Sequence, residues 1–450
     1  MRTLKAIIFD MDGVIIDSEP QHGRAALKVL HKYGVDADMS YHEQFIGSST
    51  ANMAQKVISD FSLSLSPEEL LAELNQAKRE IHKEEGYPSL PGICELIPKL
   101  AASGWKLAIA SSSNPAEINA VVSSLGIRKY FDQLVSSSNV AHPKPAPDTF
   151  QLALKKLGVS AEEAIVVEDS SYGVEAAIAA GIACVGYDNP HSGKQDLSRA
   201  DVLLESFEGL TPSFFLHVWQ RKQKIPVTIA NTRRLIIREL TVADIPDLYP
   251  IYKDPEVAKF IDDIDDYKEM EMAKQAAYIR NVYNFYGYGL WGVFSKTSGG
   301  LIGRCGIENH VVDGQDEIML SYLLDSNHWG YGYALECCRA VFQYAYQALD
   351  IDNIVAVIDK ENVRSLHTAK NLGMKPEKDL IYKNRDAVLY RIHLTEESSQ
   401  RARIAKAILC DRRHTTEQRV ACDSFALERC CLQLTSSPRD AHPRGTFFAL

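Results

Sequence analysis

Two carboxylate pairs and one lysine occur where they could support phosphoryl transfer. Asp10 and Asp12 come directly after the apolar run KAIIF. Lys144 lies in the segment HPKPAPD, and Glu168 and Asp169 follow the apolar run IVV. A carboxylate that attacks phosphorus forms an aspartyl-phosphate and divides one difficult step into two easier ones. Because the nucleophile and the phosphate are both anions, this chemistry needs a divalent cation such as Mg²⁺, which prefers oxygen ligands.

The residue types suggest a role for each position. We expect Asp10 to be the nucleophile, and Asp12 to protonate the leaving oxygen and later accept a proton from water. Lys144 would offset the charge of the transferring phosphoryl group, and Ser111 would donate a hydrogen bond to it. An isolated DxD motif could also be a solvated turn, but the ordered polar residues after further apolar runs favour catalysis. The expected magnesium ligands are Asp10, the backbone carbonyl of Asp12, Glu168 and Asp169.

A second group of residues could bind a pyrophosphate. The segment 328–334, HWGYGYA, lies between a strand-like run and an apolar helical pattern. Backbone N–H groups at a helix start attract anions, and glycines let a ligand approach the backbone closely. The GxGxxG fingerprint is absent, and the preceding strands have the pattern of hairpins, so a dinucleotide-binding fold is not indicated. A helix start that merely uses glycine is the alternative interpretation.

The first half of the chain has the pattern of a parallel sheet that could bring the first group together. Continuous apolar runs are typical of strands covered on both faces, and they occur at 5–9, 105–110, 164–168, 182–186 and 200–204. Helix-like segments separate them, so we predict an α/β fold with a doubly wound parallel sheet. The amphipathic insertion at about 16–88 predicts a helical cap over the carboxyl ends of the strands.

The second half has a mixed pattern. A strand at 235–240 precedes a helical stretch at 243–284, and the turn at 298–300 predicts a hairpin. Helices and strands then alternate, which predicts a mixed α/β domain. We expect domain boundaries at 1–215, 216–232 (a linker), 233–395 and 396–450 (a tail). The tail has a different composition, and we expect it to be disordered or non-native in origin, with a docking helix at about 400–410 as the alternative.

The composition limits the classes of function. The chain has 450 residues and a net charge of −10, which argues against general nucleic-acid binding. Because no run of about 18 apolar residues occurs, we expect no membrane span, and the first apolar run stops at Asp10, too early for a signal peptide. The nine cysteines form no CxxC pair, so a zinc site or redox motif is not expected. Reduced thiols in a cytoplasmic protein are the simplest interpretation.

Residues 1–215 resemble the haloacid dehalogenase superfamily. The resemblance rests on FDMDGVIIDSEP, the serine strand, HPKPAPD and VVEDSSYG, which stand in the family's order. The cap position and the DSEP segment resemble the subgroup of beta-phosphoglucomutase and sugar-phosphate phosphatases. The resemblance implies the roles given above for Asp10, Asp12, Lys144 and the metal ligands. It also places Asn114 with Ser111 on the phosphate side.

The cap segment bears on the choice between phosphatase and mutase. In the mutase it resembles, a lysine before a glycine and an arginine just after it contact the substrate. Here Ile46 and Thr50 replace these basic positions, so a second phosphate would be poorly held and we expect a phosphatase. His22 could assist proton transfer or be a surface histidine. A sugar could bind the small residues of this segment, although a helix N-cap is the simpler interpretation; they are Gly47, Ser48, Ser49 and Thr50.

Residues 233–393 resemble the GNAT superfamily, and more narrowly its ribosomal-protein alanine acetyltransferase type. RLIIREL, LIGRCGI, HWGYGYA and NVRSLHTAKNLGM stand in the family's order. The resemblance implies acetyl-CoA as co-substrate, and Asn362 would bond its pantetheine arm or acetyl region, with Ser365 nearby. Asn362 could also be a helix N-cap, or serve both roles. The residues implied to hold the coenzyme A pyrophosphate are Trp329, Gly330, Tyr331, Gly332, Tyr333 and Ala334.

Acetyl transfer needs a deprotonated amine, and a general base assists it. Glu317 and Glu308 are the candidates, although each could equally be a solvated charge at a strand end. Tyr322 could line the site or belong to the core. A protein N-terminus, an amino sugar and a polyamine all remain possible acceptors. The leading hypothesis is a bifunctional enzyme that acts on a small phosphate ester and on an amine; a mutase with an acetyl-CoA-binding regulatory domain is the alternative.

Overall fold

The computed structural model describes residues 2–45, 50–261 and 264–395. The expected tail from residue 396 therefore lies outside the described residues. The chain forms two compact units, the first covering Met1–Ile225 and the second beginning at Pro226. Within the described residues, no helix combines the length and apolar character that crossing a bilayer requires.

A six-stranded parallel sheet forms the centre of the first unit. Its strands are β1 (Ala6–Phe9), β2 (Lys106–Ser111), β3 (Gln133–Ser136), β4 (Ala164–Glu168), β5 (Ala183–Tyr187) and β6 (Val202–Leu204). They lie in the order β3-β2-β1-β4-β5-β6, and β1 pairs in parallel with both β2 and β4. The order reverses at β1, so the carboxyl ends of β1, β2 and β4 lie side by side. This topology confirms the predicted doubly wound sheet.

Helices cover both faces of this sheet and form a separate cap. The helices of the first unit are α1 (Glu19–Lys32), α2 (Met39–Glu43), α3 (Thr50–Phe61), α4 (Pro67–Glu85), α5 (Ile93–Ala102), α6 (Pro115–Ser124), α7 (Asp148–Leu157), α8 (Ser171–Ala179) and α9 (Pro212–Lys222). Helices α1 to α4 share an apolar cluster of their own that includes Val29, Leu70 and Leu74. Ser66 and Glu69 form a capping box at the start of α4. The insertion after β1 is therefore a helical cap with its own core.

The second unit contains an eight-stranded mixed sheet. Its strands are β7 (Thr228–Asn231), β8 (Leu235–Arg238), β9 (Leu290–Ser295), β10 (Leu301–Val312), β11 (Gln315–Leu324), β12 (Asn353–Asp359), β13 (Lys375–Tyr382) and β14 (Arg385–His393). They lie in the order β13-β14-β12-β11-β10-β9-β8-β7. Neighbours are antiparallel except for β11 and β12. In the described part of the chain, β11 and β12 pair only at Met319 and Val355, so these two strands diverge. The sheet confirms the predicted mixed fold.

The helices of the second unit are α10 (Ile245–Lys253), α11 (Pro255–Ala258), α12 (Lys268–Tyr278), α13 (Asn284–Tyr286), α14 (Tyr333–Ala348) and α15 (Val363–Leu372). Helix α14 buries one face against the sheet, including Cys337, Val341 and Ala345 at helical spacing. The stretch 216–232, expected as a linker, contains the end of α9 and all of β7. A short strand at a sheet edge has too weak a local pattern to be separated from a linker by sequence.

Candidate active sites

One lysine lies between two carboxylates at the carboxyl ends of β1 and β4. Lys144 Nζ donates to Asp10 Oδ1 at 2.5 Å and to Glu168 Oε1 at 2.6 Å. Its third donor reaches the carbonyl of Ala110 on β2 at 2.9 Å. The Lys144 side chain is 6% exposed, and both acids are buried. All three donors of the ammonium are therefore used to join three strand ends.

The carboxylates at this edge outnumber the positive charge near them. Burial raises the pKa of Asp10 to about 7, against the opposing charge of Lys144, and Glu168 and Asp12 raise it further. Burial also raises the pKa of Asp169, and the charges of Glu168 and Asp10 add to that shift. Such a deficit of positive charge fits a divalent cation bound by oxygen ligands. Asp10, Asp169 and the backbone carbonyl of Asp12 would hold it, since Glu168 is already engaged by Lys144 and by Ser170 N at 3.0 Å.

Two glycines leave room for the acidic side chains. A Cβ at Gly13, whose φ is +77°, would lie 1.9 Å from Asp169 Oδ2. A Cβ at Gly173 would lie 1.8 Å from Glu168 Cδ. The carboxylates thus occupy space that any larger residue would fill. Sequence reasoning did not single out either glycine, although each stands a few residues after an acidic motif.

Further polar residues that sequence reasoning missed hold the loops that carry Asp169 and Gly13. Ser192 Oγ donates to Asp169 Oδ2, and Asn189 Nδ2 donates to the Gly13 carbonyl at 3.1 Å. Ser192 and Asn189 are both buried. Their local sequence contains no motif, and Asn189 is 176 residues from its partner.

The loop after β2 lies beside Asp12. Ser111 Oγ accepts from the backbone N–H of Ser113 at 3.0 Å, and Ser113 Oγ donates to Asp12 Oδ2 at 2.7 Å. Within the described residues, Asp12 Oδ1 is buried without a hydrogen-bond partner. Asn114 is the N-cap of α6 and accepts from Glu117 N at 3.0 Å. Ser113, which sequence reasoning passed over, is thus the hydroxyl that contacts Asp12.

For the small cap residues, binding of a sugar stays a prediction. Gly47, Ser48 and Ser49 lie outside the described residues, as does the side chain of Thr50. His22 Nδ1 lies 3.8 Å from Glu19 Oε1.

Lys78 on α4 lies within electrostatic range of Asp12. Burial lowers its pKa, while the charges of Asp12, Glu117 and Glu19 oppose that shift. Burial and the charge of Asp12 raise the pKa of Glu117. No ion pair of Lys78 is found among the described residues, so this ammonium remains available to an anionic ligand. The amphipathic pattern of α4 gave no signal for it.

The predicted pyrophosphate loop joins β11 to α14. Gly330 and Gly332 have φ values of +82° and +76°, which glycine adopts at low cost. Gly332 is the N-cap of α14, whose first turn begins with Tyr333 and Ala334. The first N–H groups of a helix lack partners within the helix, so they can bind an anion.

Two side chains fix this loop. The buried Trp329 donates from Nε1 to the Leu324 carbonyl at 2.9 Å. Arg234 Nη1 donates to the carbonyl of Tyr331 at 2.8 Å, and Arg234 Nε donates to Glu336 at 2.6 Å. Arg234 was missed in the sequence because it lies 97 residues from Tyr331. The Tyr331 side chain is exposed.

A cleft lies where β11 and β12 diverge. Its lining includes Tyr322, Ile358 and Ser365. Asn362 is the N-cap of α15 and accepts from Ser365 N at 3.0 Å, while its Nδ2 is buried without a hydrogen-bond partner among the described residues. The cap geometry and the free amide donor are compatible with both roles considered for Asn362. Tyr322 is buried and donates to Ser365 Oγ at 3.2 Å.

The two candidate bases have different surroundings. Glu317 accepts two hydrogen bonds from Arg391, at 2.6 and 2.9 Å. Glu308 is buried and accepts from Tyr278 Oη at 2.6 Å. In the part of the chain that is described, its other oxygen has no hydrogen-bond partner, and His310 Nε2 lies 3.7 Å away. Glu308 therefore keeps a free oxygen for a substrate, whereas Glu317 is held in an ion pair.

Comparison with known proteins assigns the two units to two families. Residues 7–187 match the family of haloacid dehalogenase-like hydrolases, and residues 234–375 match the acetyltransferase (GNAT) domain. The fructose-1-phosphate phosphatase YqaB of Escherichia coli (strain K12) is 37% identical over 179 residues, which cover 40% of this chain and 94% of that protein. The phosphorylated carbohydrates phosphatase of Thermotoga maritima is 32% identical over 203 residues, covering 45% and 91%. A crystal structure of beta-phosphoglucomutase from Clostridium difficile is 28% identical, with a TM-score of 0.42 and coverage of 49% and 100%.

Proposed function

The chain belongs to the haloacid dehalogenase-like hydrolases through its first unit and carries a GNAT acetyltransferase domain in its second, and on this premise we propose a bifunctional enzyme. The first activity is a magnesium-dependent phosphatase that acts on a small phosphorylated sugar. The second is transfer of an acetyl group from acetyl-CoA to an amine.

The observation that carries the phosphatase proposal is the shared contact of Lys144 with Asp10 and Glu168. It holds the proposed nucleophile at a sheet edge where Asp12 and Asp169 add further carboxylates. An Asp10 oxygen attacks phosphorus while Asp12 gives a proton to the leaving sugar oxygen. Asp12 then takes a proton from the water that attacks the aspartyl-phosphate, and inorganic phosphate is released. A bound Mg²⁺ supplies positive charge that screens the anions.

The substrate class follows from the cap and from the relatives. Lys78 supplies a partly buried ammonium near Asp12, which suits an anionic substrate. The Escherichia coli relative is a fructose-1-phosphate phosphatase, and the Thermotoga maritima relative is a phosphatase of phosphorylated carbohydrates. Because Ile46 and Thr50 supply no second basic position, release of phosphate is favoured over its transfer within a sugar bisphosphate.

The acetyltransferase proposal rests on the predicted pyrophosphate loop and on the gap between β11 and β12. The N–H groups of the first turn of α14 would bind the coenzyme A pyrophosphate, and the gap would accept the pantetheine arm beside Asn362. Glu308, with its free oxygen, is the proposed base that takes a proton from the ammonium of the acceptor. The free amine then attacks the thioester carbonyl, and coenzyme A leaves as its thiol.

The test of the first activity uses the full chain and its Asp10→Asn variant. Phosphate release is measured with Mg²⁺ on a panel that includes fructose 1-phosphate and glucose 1-phosphate, the latter with and without a bisphosphate primer. We expect release from at least one sugar phosphate by the unaltered chain and none by Asp10→Asn. Equal activity in the variant would contradict the covalent mechanism. Formation of glucose 6-phosphate only when the primer is present would show that the first unit is a mutase and not a phosphatase.

The test of the second activity measures thiol release from acetyl-CoA with peptide N-termini, amino sugars and polyamines. Asp10→Asn is the matched control here, since it should leave acetyl transfer unchanged. Acetyl-CoA binding without turnover on any amine, together with altered phosphatase kinetics, would favour the regulatory alternative.

A further inference from the structure

Three buried cysteines lie together in the second unit, two of them just after the predicted pyrophosphate loop, and the proposed chemistry uses none of them. Cys305 lies on β10, and Cys337 and Cys338 lie on α14, one turn after the loop. Each is 0% exposed. None of the three forms a disulfide bond, and the sulfurs of Cys305 and Cys338 are 3.8 Å apart, well beyond the roughly 2.0 Å of such a bond. The sequence spacing contains no metal-binding motif; the fold alone brings these residues together.

The three sulfurs are placed as a trigonal ion would need them. All three Sγ atoms lie within 4.8 Å of one another. An ion held at about 2.3 Å by three sulfurs keeps them roughly 4.0 Å apart in a plane and roughly 3.5 Å apart in a pyramid, so ligation shortens each S–S distance by no more than about 1.3 Å. Among the described residues, no histidine or carboxylate joins this group. A tetrahedral zinc ion would therefore lack its fourth ligand, whereas soft three-coordinate ions need none.

The surroundings favour a complex without net charge. The three cysteines belong to the apolar core of the second unit. Three thiolates around a monovalent ion would carry two negative charges, and around a divalent ion one. A trivalent ion gives a neutral complex, which avoids the cost of a buried charge.

We propose that Cys305, Cys337 and Cys338 form a trigonal binding site for a thiophilic trivalent ion, with arsenic(III) as its probe. Uncharged arsenous acid, As(OH)₃, exchanges its three hydroxyls for the three sulfurs. Three As–O bonds break and three As–S bonds form, and each departing hydroxyl leaves as water with the proton of one thiol. The exchange transfers no electrons and leaves the site neutral.

The site is coupled to the loop through Cys337. Its Sγ donates to the carbonyl of Ala334 at 3.2 Å, and Ala334 lies in the first turn of α14. Ligation removes the proton of that hydrogen bond and draws Cys337 and Cys338 toward Cys305. Since the same turn carries the N–H groups proposed to bind the pyrophosphate, occupation of the site should weaken acetyl-CoA binding by about fivefold or more. This coupling rests on the proposed acetyltransferase function, but the binding of arsenic does not.

The experiment uses the full chain with the four cysteines of the tail changed to alanine, since two of them are adjacent in sequence and could bind arsenic themselves; they are Cys410, Cys422, Cys430 and Cys431. The reduced protein is incubated with arsenite and desalted, and bound arsenic is counted by mass spectrometry. Ultraviolet absorption of the As–S bonds follows the titration. We expect one arsenic per chain, and an affinity at least about a hundredfold lower in Cys305→Ala, since one of the three bonds is lost.

Two variants separate ligation from loss of folding. Cys305→Ser keeps the volume of the side chain and should lose arsenic as Cys305→Ala does, while thermal melting shows that each variant is folded. Cys184→Ala, at a buried cysteine of the first unit, should keep full binding. No arsenic bound in the tail-substituted chain, or binding unchanged by either Cys305 variant, would overturn the site.

Acetyl-CoA affinity is then measured with and without arsenite. Weaker binding in the arsenic-loaded chain, but not in Cys305→Ser with arsenite, supports the coupling. Unchanged affinity at full occupancy overturns the coupling. If the arsenic-free chain fails to bind acetyl-CoA, the proposed acetyltransferase function is wrong, while the arsenic count still decides whether the site exists.

Discussion

The two candidate active sites are built by different means. In the first unit, charged side chains meet at the ends of adjacent strands, and Lys144 contacts Asp10 and Glu168 directly. In the second unit, the features proposed to bind the coenzyme are the backbone N–H groups of the first turn of α14, which begins after Gly332, and the gap between β11 and β12. Side-chain identity specifies the first site, and backbone conformation specifies the second. A single side-chain change should therefore damage the first site much more than the second.

The largest expected effect is at Lys144. Lys144→Ala leaves Asp10 and Glu168 buried without their shared cation, so the transferring phosphoryl group loses its stabilising charge. We expect the kcat for phosphate release to fall by about a thousandfold, or roughly 4 kcal/mol, with acetyl transfer unchanged. Lys156→Ala, at an exposed lysine on α7, is the matched control. If both variants behave alike, the first site is not organised by its side-chain contacts as described.

A smaller effect is expected at Gly173. Its missing side chain makes room for Glu168, because a Cβ there would lie 1.8 Å from the Glu168 carboxyl carbon. Gly173→Ala should displace that carboxylate and lower phosphate release by roughly a hundredfold. At Gly23 on α1, an added Cβ would meet the flexible end of Met39, so Gly23→Ala should cost much less. Steady-state assays measure the rate of phosphate release in both variants. Comparable losses of rate would show that the loss in Gly173→Ala is not caused by crowding at Glu168.

The third effect tests the second unit, where side chains should matter less. Glu308→Gln removes the proposed base and should lower the kcat of acetyl transfer by about tenfold to a hundredfold. Glu317→Gln weakens an ion pair with Arg391, so it should lower the melting temperature with little change in kcat. Initial rates at saturating acetyl-CoA, measured across pH, distinguish the two glutamates. A larger rate loss in Glu317→Gln would reverse the assignment.

The same contrast explains what the sequence could predict. Buried parallel strands appear in sequence as continuous apolar runs, and polar residues at their carboxyl ends meet at one edge. The sequence pattern alone therefore predicts that Asp10, Lys144 and Glu168 lie close together. Ser192 and Asn189 could not, because isolated polar residues in a loop have no local pattern that names a partner far along the chain.

In the second unit, the local sequence predicted the pyrophosphate loop, but it did not predict the side chains that hold this loop in place. Arg234 reaches the loop from 97 residues away. Glu308 and Glu317 could not be ranked, because each is a glutamate in a strand and their environments depend on distant partners. Arg391 is 74 residues from Glu317. Local patterns therefore predict elements and strand-end chemistry, whereas long-range pairing decides which acid remains free.

The smallest expected effect is a difference between the two units in how their stability depends on pH. Burial raises the pKa of Asp10 to about 7, so between pH 4 and 7 the folded state holds a proton that the unfolded state has released. Stability without metal should therefore fall as pH rises through this window. In the second unit, hydrogen bonds from Thr232 and Arg234 outweigh burial and lower the pKa of Glu336, so its contribution is constant above about pH 5.

We expect Asp10→Asn to remove much of this slope, so that it raises the stability of the metal-free first unit by about 2–3 kcal/mol more at pH 7.5 than at pH 5. Calorimetry in a chelator at both pH values measures the difference, and Asp36→Asn, at an exposed aspartate of the cap, is the control. An equal gain at both pH values would mean that the variant stabilises the fold for another reason. A larger gain at the higher pH would show that the charge cluster proposed to bind phosphate and metal lowers the stability of the first unit. The second site, which is built from backbone groups, has no such cost.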